Sequence, residues 1–264
     1  EYLDLPAFNH HRASDDAGMV AYMLVPFFEK MRQELHIDHI QQINNVMTRL
    51  RPQGGRSNRF PKHIIILAKN KLGLKHLYQL ISVSNLKYFR RVPTIPKTEL
   101  AAHREGLIIG SACEAGELFR AVADHREWSE LKRIAAFYDY LEIQPLCNNA
   151  FMLRNGDVQS EEELRDFNRT IVRLGEELGK PVCATGDVHF QEPEDEVYRH
   201  ILLASKKFAD ADAPLPIYFK TTDEMLEEFS YLGAEKAHEV VIDNPRRIAD
   251  MVEEIELLPP GQLF

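Results

Sequence analysis

After residue 60 the chain carries four short runs dominated by branched and aromatic apolar residues, HIIILAKN, GLIIGSAC, YDYLEIQP and PVCATGDVH. Their length and composition read as buried strands. Helical patterns separate them. KLGLKHLYQLISVSNL places Leu74, Leu77, Leu80 and Ile81 on one face, and Leu164, Phe167, Ile171, Leu174 and Leu178 mark another amphipathic helix. Strands alternating with helices imply parallel strands joined by helical crossovers, an α/β class. The pattern allows either a closed barrel or an open sheet.

Local signals punctuate these elements. Ser160 and Glu163 have the spacing of a capping box, as do Thr221 and Glu224. Gly179 closes the helix that Ser160 opens, and Pro245 suits the first turn of a final helix. The first fifty residues look helical, with Ala17, Val20, Ala21, Leu24 and Phe28 at helical spacing; Pro26 is expected to end or kink that helix. RPQGGRSNRFPK follows and is the best boundary in the chain. The organisation expected is a helical segment over 1–50, a linker over 51–60 and an α/β part over 61–264.

The 264 residues are 44% hydrophobic and 28% charged, enough apolar material for a core without disulfide or metal staples. The net charge of −9 is the wrong sign for a chain that grips nucleic acid unaided. Contact with DNA is therefore expected to be local or supplied by a neighbouring domain. Three scattered cysteines, Cys113, Cys147 and Cys183, point to a reducing compartment. The sequence shows neither a signal peptide nor an apolar run of membrane-spanning length, so a cytoplasmic location is expected. It starts without Met and enters structured sequence directly, which reads as a piece of something longer.

Ligand chemistry collects at the strands. His63 begins the first run, Cys113 ends the second, and Asp187 and His189 end the fourth. Two residues apart on a strand, Asp187 and His189 would point to the same face. Imidazole, thiolate and carboxylate together suit zinc or a similar divalent ion. Each residue alone also has a plainer reading: His63 as a structural hydrogen-bonder, Cys113 as a small apolar side chain, Asp187 as a turn cap. In HHRASDDA, His11 stands five residues before Asp16 at a helix start. A His near a carboxylate suits a general base acting on a metal-bound water, and Asp15 or Asp16 equally suits a helix-start carboxylate stabilised by the dipole; spacing alone favours the helix-start reading.

The longer motifs carry a resemblance. HREGLIIGSACEAGE, YFRRVPTIP, FYDYLEIQP and ATGDVHFQEPED resemble the polymerase and histidinol phosphatase (PHP) domain of PolC-type DNA polymerase III alpha subunits, and HHRASDDA resembles the last motif of DEDDh proofreading exonucleases. In that family the exonuclease is inserted within the PHP domain. The resemblance implies a partial, distorted β/α barrel of PHP type, preceded by the C-terminal helical end of an exonuclease. It implies that His11 is the exonuclease base and that Asp16 binds one of its Mg2+ or Mn2+ ions. It implies that His63, Cys113, Asp187 and His189 bind Zn2+ or Mn2+ in the PHP part. The family's opening His-x-His pair and the Asp-x-Glu exonuclease motif do not occur here.

The function implied is that of a fragment of a replicative DNA polymerase with 3'-5' proofreading. DNA, the remaining polymerase domains and other replisome subunits would be its partners, and the isolated chain is expected to be inactive. A stand-alone PHP phosphoesterase and a purely structural scaffold are the alternatives. Open sheet edges would also favour self-association.

Overall fold

A computed structural model of the chain describes residues 13–39, 42, 61–89, 91–207 and 211–257. The chain divides into two compact units, Glu1–Phe60 and Pro61–Phe264. In the first, helix α1 spans Ala13–Leu35. Pro26 does not end it. Proline removes one backbone N–H and crowds one carbonyl, a local cost that the turns on either side absorb here. Val20, Leu24 and Phe28, the expected apolar face, are exposed, and Met31 is buried.

The second unit opens with β1, Ile65–Ala68. Helix α2, Lys71–Leu86, follows, with Asn70 as its N-cap: the Asn70 side-chain oxygen accepts from the Gly73 N–H. Helix α3, Lys97–Ala102, leads into β2, Leu107–Gly110. Strands β1 and β2 are antiparallel, in register Ile65↔Gly110 to Ala68↔Leu107. This corrects the expectation of parallel strands throughout. The chain re-enters the sheet from the opposite end, so these two strands run antiparallel although helices join them.

Helices α4, Glu117–Ala123, and α5, Trp128–Ala135, lead to β3, Leu141–Ile143. A 3-10 turn, Leu146–Asn149, and helix α6, Ala150–Asn155, precede the long helix α7, Glu161–Leu178, and then β4, Val182–Ala184. Here the parallel expectation holds: β3 and β4 pair Leu141↔Val182 to Ile143↔Ala184. Leu164, Phe167, Ile171 and Leu174 of α7 are buried, each side chain contributing about 1.5–3 kcal/mol of burial. Gly179 takes φ +62° and ends the helix. Ser160 caps its start by accepting from the Glu163 N–H, but the Glu163 carboxylate accepts from Gln159 N–H rather than closing the box on Ser160.

The two ladders meet at one joint. A parallel bridge links Gly110 to Tyr140. Only glycine fits at 110, because a Cβ there would overlap the Tyr140 ring. Beside it, the Ile109 carbonyl accepts from Asp139 N–H at 2.7 Å, and the Ile109 N–H donates to Asp139 Oδ2, also at 2.7 Å. Arg104 Nη2 donates to the other carboxylate oxygen at 2.8 Å.

The C-terminal part adds helices α8, Glu196–Ser205, α9, Thr222–Glu228, and α10, Ala234–His238, a π-helical turn over Glu239–Asp243, and α11, Asn244–Ala249. Thr221 and Glu224 form the reciprocal capping box at the start of α9. Asn244 Nδ2 donates to the Val182 carbonyl, fastening α11 to β4, and Glu253 N–H donates to Lys69 O just beyond β1. Among the described residues no helix is long and apolar enough to cross a membrane.

Candidate metal centre

Beyond β2 the chain turns sharply. Ala112 adopts φ +61°, a left-handed conformation uncommon for a residue with a side chain, and Cys113 follows it. The turn is held from both sides: Gly116 N–H donates to Cys113 O, and His63 N–H donates to Ala115 O. His63 is not part of β1. It forms an isolated parallel bridge to Gly116, which docks the start of the unit onto this turn.

That docking brings His63 Nδ1 to 3.3 Å from Cys113 Sγ. A tetrahedral ion with bonds of about 2.0 Å to nitrogen and 2.3 Å to sulfur would hold the two atoms about 3.6 Å apart. The pair therefore fits as two adjacent ligands. Burial, first of all, pushes the Cys113 thiol up to about 11; the neighbouring Glu114 and Asp187 carboxylates push the same way, against the Ala115 backbone.

Asp187 and His189 do not lie on a strand. Strand β4 ends at Ala184, and Asp187 adopts φ +48° in the following turn. The alternation that would have put both side chains on one face does not apply, because the backbone there is not extended. The turn has its own supports: Asn148 Nδ2 donates to Gly186 O at 2.9 Å, and Thr185 Oγ1 donates to Glu142 Oε2 at 3.1 Å. Asp187 lies close enough to raise the proton affinities of both Cys113 and Glu142.

His189 is held separately. Its N–H donates to Ile217 O, and Nδ1 lies 2.7 Å from the Asp187 carbonyl. With Nδ1–H donating to that carbonyl, Nε2 is the ring nitrogen left for a ligand role. A cleft of about 790 Å³ opens beside it, lined by Val188, His189, Phe190, Tyr218 and Phe219 among others.

Thus the structure joins His63 to Cys113 directly and Asp187 to Cys113 electrostatically, while His189 bonds to Ile217 and the Asp187 carbonyl and not to His63 or Cys113. Among the described residues no three His, Cys, Asp or Glu side chains stand in ligating geometry. His11 lies outside the described residues, and of Asp16 only the backbone is described, in the first turn of α1. One residue escaped the sequence reading: Glu142, buried in the middle of β3. Its signal was a carboxylate set within an apolar strand, where charged residues are rare unless partnered.

A family model described as the PHP domain matches residues 10–145. The chain belongs to the PHP domain family. As a PHP domain it shares 49% identity with the DNA polymerase III PolC-type of Clostridium perfringens, over 98% of this chain. The PolC-type polymerases of Caldanaerobacter subterraneus and Bacillus subtilis are 48% and 42% identical to it, over 99% and 96% of this chain. The chain spans 18% of the length of each of these relatives. The PHP match starts at residue 10 and so runs through much of the stretch expected to come from an exonuclease.

Proposed function

We propose that this PHP domain works within a PolC-type replicative DNA polymerase as a metal-binding module that stabilises its surroundings. Similarity along 98% of the chain to such a polymerase carries the reading. The parent protein would extend DNA primers and remove mismatched ends by metal-assisted hydrolysis, in the cytoplasm and among other replisome subunits.

In this reading residues 1–50 are the closing part of the exonuclease, 51–60 a linker, and 61–264 the C-terminal part of a PHP barrel. His11 would take a proton from the attacking water, and Asp16 would hold one Mg2+ or Mn2+ ion. His63 and Cys113 would hold Zn2+ or Mn2+ between them, Asp187 would add its charge, and His189 would close the set through Nε2. The bound ion would supply positive charge that offsets the half-buried Cys113 thiolate and the nearby carboxylates of Asp187 and Glu142. The supporting geometry is the 3.3 Å His63–Cys113 contact.

Equilibrium dialysis of the 264-residue chain against Zn2+ and Mn2+, with thermal melts before and after chelation, tests this. Bound metal, a melting temperature that falls on chelation, and loss of both effects in Cys113→Ser are expected. A metal-free chain with chelator-insensitive melting refutes the metal role. Efficient metal-dependent digestion of DNA by the chain alone refutes the assignment of 1–50 as only part of an exonuclease.

A further inference from the structure

Glu142 occupies a position that neither its strand nor the fold requires to be acidic. The residue is only 6% exposed and is flanked in β3 by the buried apolar residues Leu141 and Ile143. A carboxylate so placed is costly unless its oxygens are engaged. Oε2 is engaged, by Thr185 Oγ1 at 3.1 Å. Oε1 has no hydrogen-bond partner. Burial, first of all, pushes the Glu142 carboxyl above the usual carboxylate range; Thr185, the Tyr140 hydroxyl and the Ala112 backbone pull the other way, but none of them reaches hydrogen-bond geometry with Oε1.

The surroundings of Glu142 are specific. Its backbone N–H donates to Ser111 Oγ at 2.9 Å, two residues before Cys113. Its side chain holds Thr185, two residues before Asp187. Both segments then pass through left-handed residues, Ala112 and Asp187 themselves. One strand residue thus fastens the two turns that present the thiol and the carboxylate, and keeps a free buried oxygen between them.

We propose that Glu142 is a positioning residue of the metal centre, with Oε2 anchoring the Asp187 turn through Thr185 and Oε1 accepting from a donor at the centre, an imidazole N–H or a water. This rests on the metal-binding reading given above. Such outer partners fix ligand orientation and ligand charge, and their loss typically weakens metal binding about 10- to 100-fold.

The test measures Zn2+ affinity by competition with a chromogenic chelator, alongside melting of the metal-free chain. Glu142→Gln keeps the size of the side chain and one acceptor for Thr185, and removes the charge and the second acceptor. Zn2+ affinity is expected to fall by about 10-fold or more, while metal-free melting holds or rises because a neutral amide is easier to bury. Thr185→Val, which cuts the anchor, should weaken Zn2+ binding in the same direction, and Thr185→Ser, which keeps the hydroxyl, should retain it.

Wild-type Zn2+ affinity in both Glu142→Gln and Thr185→Val overturns the inference. So does an affinity loss matched by an equal loss of metal-free stability, which would mark Glu142 as structural only. If the unaltered chain takes up no Zn2+, the metal-binding reading falls and takes this inference with it. Normal uptake by the unaltered chain together with normal uptake by the variants removes the inference alone.

Discussion

Asp139 is the residue on which the two ladders turn, and removing its side chain gives a graded test of the joint. The carboxylate accepts from two donors, the Ile109 N–H at 2.7 Å and Arg104 Nη2 at 2.8 Å. Ile109 is fully buried, so in Asp139→Ala its N–H is left with neither partner nor water. A stranded buried donor costs about 1–3 kcal/mol. The Arg104 pair is about one-third exposed and contributes at most about 1 kcal/mol. The sum is about 1–4 kcal/mol. Asp139→Asn still offers one oxygen to Ile109 and turns its amide toward Arg104, so about 1–2 kcal/mol is expected. Arg104→Ala loses the exposed pair and a cation–π contact with Phe137, worth about 0.5–1 kcal/mol. Urea denaturation should therefore rank Asp139→Ala below the other two, with a melting point lower by about 2–16 °C than the unaltered chain. If Asp139→Ala is no worse than Arg104→Ala, the carboxylate does not serve the Ile109 N–H and this account of the joint is wrong.

Two further outcomes follow from the packing. Gly73→Ala should destabilise the chain by about 3 kcal/mol, since a Cβ at 73 would overlap the Gly106 carbonyl; a thermal melt within a degree of the unaltered chain would contradict that contact. Cys183 is buried in β4, and burial, helped by Glu142, pushes its thiol up to about 12. At pH 8 it should resist alkylation in the folded chain and react only in urea, read by peptide mass spectrometry; labelling of the native protein at the rate of a free thiol would refute this.

The residues differ in how openly they declare these roles. The buried seam of α7 and the Thr221–Glu224 box were legible because helix periodicity and capping are local properties of the chain. The antiparallel entry of β2 was not, because helical patterns between two strands do not fix the end from which the second strand enters the sheet. The left-handed turn at Asp187 hid for a similar reason: VCATGDVH reads as extended, yet regular pairing stops at Ala184. Glu142 was visible as a letter but not as a site, since its meaning comes from Ser111 and Thr185, 31 and 43 residues away.

Those separations have a kinetic consequence. His63 meets Cys113 across 50 residues, and Glu142 meets Thr185 across 43. Each such contact must first meet the entropy of closing a long loop, so contacts of this kind slow folding rather than start it. The thiol–imidazole pair therefore comes together only once β1, β2 and the turn after them are in place. A spectroscopic ion that reports on His63 and Cys113 would make the centre a late marker of folding, silent in partly folded chains and visible when the unit is complete.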